Sequence, residues 1–138
     1  MKRVSVFLWR VILLSACKQE DSNYTNVFDS PVLYAKTVKE LNNVVMQNNF
    51  PPIIASRNYV YASIAAYEVV ALGDDRFQSL AGQIKHLSKI PQQNLANVNF
   101  QYAAILAFCK AGEAVTFPEG SMTAYRAMLD SLVKVSGM

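Results

Sequence analysis

The chain has 138 residues, of which 52% are hydrophobic and 17% charged. That is enough for one domain and not comfortably for two, and too apolar for an intrinsically disordered chain. The formal net charge of +3 is not a nucleic-acid footprint: Lys2, Arg3 and Arg10 all lie in the first sixteen residues, which hold no acid, and beyond them ten basic residues face ten acidic ones.

Residues 1–16 read as an export signal. Lys2-Arg3 is the positive start, and the apolar run that follows, interrupted by Arg10, ends in small residues. The run is too short for a spanning helix, which needs about 20 apolar residues. Its end, "LLSAC", sets Leu14, Ser15 and Ala16 before Cys17. This resembles the bacterial lipoprotein signal, whose cysteine becomes the lipidated N-terminus; the alternative is an ordinary signal peptide with a chance cysteine. The resemblance implies a lipid anchor at Cys17 and a place in the cell envelope, on the periplasmic or surface face of the outer membrane. A diacylglyceride plus an N-acyl chain meets the requirement for more than one anchoring chain. Glu20 and Asp21 resemble the acidic tag of surface-exposed lipoproteins. Residues 17–28 form a polar tether, and residues 29–138 the helical domain.

In that domain the apolar period is helical, and we expect an all-α fold of about five helices forming a partial bundle. Ser30-Pro31 starts the first, with a capping side chain and a proline in the first turn. Tyr34, Val38, Leu41 and Val45 make its stripe, and "QNNFPP" stops it. Tyr59 to Leu72 is apolar all round apart from Ser63 and Glu68, and its alanines favour helix over strand. Such a helix is expected to be central and buried on every side, with Gly73 ending it. Asp74-Asp75 would then cap a third helix bearing Phe77, Leu80, Ala81, Ile84 and Leu87 on one face. A loop follows, then a fourth helix from about Phe100 to Val115, a turn at "TFPEGS", and a fifth helix carrying Met122, Tyr125, Met128, Leu129, Leu132 and Val133.

Chemistry has few places to sit. The single histidine, His86, has no carboxylate at helical spacing and no cysteine pair nearby, so a metal site is not expected. His86 reads as a surface residue at the polar edge of a helix. Cys109 lies among apolar neighbours and reads as a small buried hydrophobe. Glu68, if buried, needs a partner from another helix, because Arg57 is about three turns away along its own. No glycine-flanked serine elbow or phosphate-binding P-loop is present. No catalytic, cofactor-binding or metal-binding residue is assigned.

The segment "NNFPPIIASRNYVYASIAAYEVVA", then "RFQSLAGQIKHLSKIP" and "NFQYAAILAFCKAGEAVTFPEGSM", resembles the N-terminal helical region of bacterial vanadium-dependent haloperoxidase-like proteins, relatives of type-2 phosphatidic acid phosphatases. The likeness runs over roughly residues 30–138. It implies an all-α bundle that holds vanadate or phosphate through a Lys/Arg motif ending Arg-Pro, a Ser-Gly-His motif, and a motif of Ser-Arg, His and Asp. No proline here follows an arginine, and His86 follows Lys85. Ser56-Arg57 begins the third motif, but Ser63 stands at the histidine position and Tyr67 at the aspartate position. The chain is therefore expected to be the non-catalytic N-terminal part of such a lipoprotein, from a truncated or a split frame. Vanadate or phosphate would belong only to the C-terminal half. Expected partners are the membrane, through the lipid anchor, and either that separate half or a second copy, with no nucleic acid. The alternative is a stand-alone envelope lipoprotein acting as a protein-interaction module.

Overall fold

The computed structural model describes residues 27–28, 30–91 and 94–136. The signal segment, Cys17 and most of the tether lie outside them. The described residues form four helices and no strand: α1 (Pro31–Gln47), α2 (Pro52–Gly73), α3 (Phe100–Thr116) and α4 (Ser121–Ser136). The fold is all-α, as the periodicity predicts.

Local chemistry sets the helix ends. The Ser30 hydroxyl accepts from the Val32 amide at 3.3 Å, and Pro31 occupies the first turn, where its missing N–H is no loss. At the other end of α1 the Asn48 side-chain amide donates to the Val44 carbonyl at 2.8 Å, and Asn49 turns left-handed at φ 52°. Pro51-Pro52 then redirects the chain into α2. The Asn99 side chain caps α3, accepting from the Tyr102 amide at 2.8 Å. The Glu119 carboxylate accepts the Ser121 amide at the start of α4 at 3.0 Å.

The core lies where α1, α3 and α4 meet. Leu41, Val44 and Val45 from α1, Ile105, Phe108 and Cys109 from α3, and Met122 and Leu129 from α4 are all buried. Each large side chain buried there contributes about 1.5–3 kcal/mol of transfer free energy. Tyr34 meets Phe108 edge to face at 5.7 Å. Phe28, the last residue of the expected tether, is also buried and packs edge to face on Tyr102 at 4.8 Å. The stripe on α1 is wider than expected, since Leu33, Thr37 and Val44 are buried beside Leu41 and Val45.

Two expectations are corrected. The central helix is α3, which packs on each of the other three, and not α2, which lies mainly against α3. And no third helix follows Gly73: the described residues of 74–99 make turns. Asp74 ends α2 instead of starting a helix, folding its carboxylate onto the Arg76 amide and guanidinium. Gly82 at φ +84°, His86 at φ +67° and Asn97 at φ +62° then break any helical path.

Candidate functional site

The two faces of α2 differ in kind. On a helix, residues three and four apart share a face. The inner face carries Ala55, Asn58, Ala62 and Ala66, all buried, with Val69 partly so. These small side chains let α2 lie close on α3. At its end Gly73 rests against the Phe100 ring, with no room for a β-carbon. The opposite face reads Ile53, Arg57, Val60, Ile64, Tyr67 and Ala71. It is as apolar as the inner face but built from larger side chains. Ile53 is 85% exposed and Val60 51%. The expectation of burial on every side thus fails because the described helices supply one covering layer, not two.

Grooves flank this outer face. One, of about 490 Å³, runs between α2 and the start of α1 and is lined by Phe28, Tyr34, Ser63, Tyr67 and Ile105 among others. The other, of about 500 Å³, lies between α2 and the following loop and is lined by Tyr61, Ile64, Glu68, His86 and Ile90 among others. Both are mostly apolar. Tyr67 braces the far end of the face: its hydroxyl donates to the Gln78 carbonyl at 2.9 Å and its ring meets Phe77 edge-on at 6.1 Å.

Glu68 is buried, as the apolar run implies, but its partners are not those expected. No other helix supplies them. The Ser79 hydroxyl and the Leu80 amide donate to its two carboxylate oxygens, each at 2.6 Å. The carboxylate thus pins the loop to α2. His86 sits in that loop, exposed and left-handed, on no helix at all. The signal for this pin was the lone acid in an apolar run; its partners, eleven and twelve residues on, follow no local spacing.

The other polar cluster joins α3 to α4. The Arg126 guanidinium donates to Glu113 at 2.7 Å and to Asp130 at 3.3 Å, Lys110 donates to Glu113 at 3.2 Å, and the Tyr102 hydroxyl donates to Asp130 at 2.7 Å. Partial burial raises the Glu113 carboxyl, but the hydrogen bonds and charges of Arg126 and Lys110 outweigh it and hold the group below the usual carboxylate range. Burial, then the hydrogen bond to Asp130 and its charge, push the Tyr102 hydroxyl up. Cys109 is buried as expected, and burial with the Glu113 charge pushes its thiol up to about 12, so it is no nucleophile at neutral pH. Sequence reasoning missed this cluster, because Glu113 and Arg126 belong to different helices.

The residues do not fit a tetrahedral oxyanion. Ser56 is exposed and donates to the Ile53 carbonyl at 2.9 Å. Arg57 points from the outer face of α2, while Arg76 is tied to Asp74, and Arg126 to Glu113 and Asp130. Among the described residues no two arginines converge with the histidine to gather donors around one anion. Among the described residues no three His, Cys, Asp or Glu side chains gather as a metal site would require, and no helix is long and apolar enough to cross a membrane. Among the described residues the Asn58 side-chain nitrogen, buried on the inner face of α2, has no hydrogen-bond partner. Comparison with protein-family models, with curated proteins and with solved structures finds no match.

Proposed function

We propose that this chain is a non-catalytic association domain, the N-terminal helical layer of a vanadium haloperoxidase-like or acid phosphatase-like lipoprotein. Cys17 anchors it at the cell envelope, and the outer face of α2 receives a further helical body. The observation that carries the reading is that face itself. Helices apolar on both sides belong between two packed layers, and here one layer is in place. Exposed apolar surface of this kind marks association sites. The resemblance of residues 30–138 to haloperoxidase-like proteins supports the same role, since that fold is built from stacked helices. The incomplete third motif at Ser56-Arg57, with Ser63 and Tyr67 in the histidine and aspartate positions, supports the absence of catalysis. The second reading, a stand-alone envelope module that binds a protein partner, is favoured by the well-filled core beneath α1, α3 and α4.

The test uses residues 17–138 with Cys17→Ser. Sedimentation is expected to show association that Val60→Glu abolishes while far-UV circular dichroism and melting stay the same. Vanadate with bromide and peroxide is expected to give no halogenation above the protein-free rate. A dispersed wild-type monomer whose Val60→Cys variant is also freely labelled in cells, or sustained turnover with vanadate, overturns the reading.

A further inference from the structure

We propose that the helical body on the outer face of α2 is a second copy of the chain, its own α2 laid antiparallel on the first. The proposal rests on reading that face as an association surface and names its occupant. Ile53, Arg57, Val60, Ile64, Tyr67 and Ala71 follow one another at alternating spacings of four and three residues, the repeat of a two-helix seam.

The order of side chains along the seam selects its partner. Turned end for end, it sets Ile53 against the partner's Ala71, Val60 against the partner's Ile64, and Arg57 against the partner's Tyr67. The largest overhang meets the smallest residue, two branched side chains meet at the centre, and a cation meets an aromatic ring. A parallel pairing would set Arg57 on Arg57 and leave a gap between two copies of Ala71.

Charge makes the same choice. The two charged residues of α2, Arg57 and Glu68, lie five residues before and six residues after Ala62, on the same flank of the seam. An antiparallel pair therefore brings each Arg57 over the end of the partner's α2 that holds Glu68, near its charge but not in contact with it because the loop buries Glu68, where a parallel pair holds the two apart. Arg57 makes no ion pair among the described residues. Glu68 accepts hydrogen bonds from Ser79 and Leu80 and makes no ion pair among the described residues, though Lys85 and His86 line the same groove. At the same end Asp75 adds a further exposed negative charge, whereas Arg76 is neutralised by Asp74.

Shape agrees. The seam is a ridge between two apolar grooves of about 490 and 500 Å³, so a helix crossing it has apolar surface on both sides. A single seam about 27 Å long, at about 1.5 Å per residue, falls at the low end of interface sizes. The dimer is therefore a reversible one.

Cysteine pairing in cells expressing the full chain tests this. Singly substituted chains are co-expressed in pairs and oxidised, with the unsubstituted chain and the exposed α1 position Lys39→Cys giving the background. Val60→Cys with Ile64→Cys, and Ile53→Cys with Ala71→Cys, are expected to cross-link about tenfold or more above that background, because docking raises the local thiol concentration. Ile53→Cys with itself is expected to stay at background. Cross-linking of Ile53→Cys to itself in preference to Ala71→Cys overturns the antiparallel dimer. Labelling of Val60→Cys with a bulky maleimide separates the remaining outcomes. Background cross-linking with Val60→Cys protected means that another partner covers the face, so the dimer falls and the association reading stands. Background cross-linking with Val60→Cys freely labelled overturns both.

Discussion

Two residues of α2 do work that their type alone does not announce. Glu68 is the one acid of its helix, and its carboxylate fixes the loop through Ser79 and Leu80. Hydrogen bonds to a charged acceptor contribute about 1.5–3 kcal/mol. Glu68→Gln keeps one carbonyl acceptor and loses the charge and the second acceptor, so the loop should open more often while the helices stay packed. Limited trypsinolysis is the measurement: cleavage after Lys85 and Lys89, both exposed, should speed up by about tenfold or more. An unchanged rate would mean that the loop's own turns hold it. Gly73 ends α2, as its type suggests, and it also owes its place to the Phe100 ring, which leaves no room for a β-carbon there. Helix propensity favours Ala over Gly by about 0.8–1.0 kcal/mol in a helix interior. The clash should outweigh that gain, since overpacking costs about 1–3 kcal/mol. Gly73→Ala is therefore expected to lower the melting temperature; a rise would show that Phe100 swings aside freely.

Between elements, the Arg126 cluster is the polar staple of α3 and α4, and its pH dependence has a definite sign. Glu113 titrates lower in the folded chain than in the unfolded one. Its contribution is complete above the unfolded value of about 4.3 and disappears as pH falls through the folded value. Arg126→Met should thus destabilise the protein at neutral pH, and the gap in urea midpoint between variant and wild type should narrow as pH falls to about 3. A gap that persists in acid would assign the loss to packing of the arginine stem. This staple also shows what a single chain conceals. The helix start at Pro31 is legible because its cap and proline are local, whereas Ser121, read as the end of a turn, begins α4. The all-helical class is legible because apolar spacing is local too. Which way α2 faces is not legible, since its apolar residues go all round and leave no asymmetry to read. The failed helix after Gly73 has the right apolar spacing at Phe77, Leu80, Ile84 and Leu87. It loses to contacts from elsewhere: Glu68 draws Ser79 and Leu80 onto α2, Tyr67 holds Gln78, and left-handed Gly82 and His86 turn the chain away.

For the whole molecule, the question is which force joins two copies. Beyond the first sixteen residues the acidic and basic counts balance, so net repulsion does not oppose association. The outer face of α2 offers both an apolar stripe and the Arg57–Glu68 complement, and their magnitudes differ. Because Glu68 is buried under its loop, its attraction to Arg57 acts without contact and contributes no more than an exposed ion pair would, about 0.2–1 kcal/mol. Covering a side chain such as Val60 contributes more, about 25 cal/mol per Å² of apolar surface removed from water, and a lysine placed there must keep its ammonium wet. Val60→Lys should therefore abolish dimerisation. Arg57→Gln should weaken it by no more than about fivefold, since 1 kcal/mol is the upper end for such a pair. Neither should shift the melting of the monomer much, as both positions are exposed. Salt gives an independent check, because screening weakens the charge complement without loosening the apolar stripe. Sedimentation equilibrium of the two variants, at low and high ionic strength, separates the two forces. If Arg57→Gln or added salt dissociates the dimer and Val60→Lys leaves it intact, charge and not apolar cover is what joins the chains.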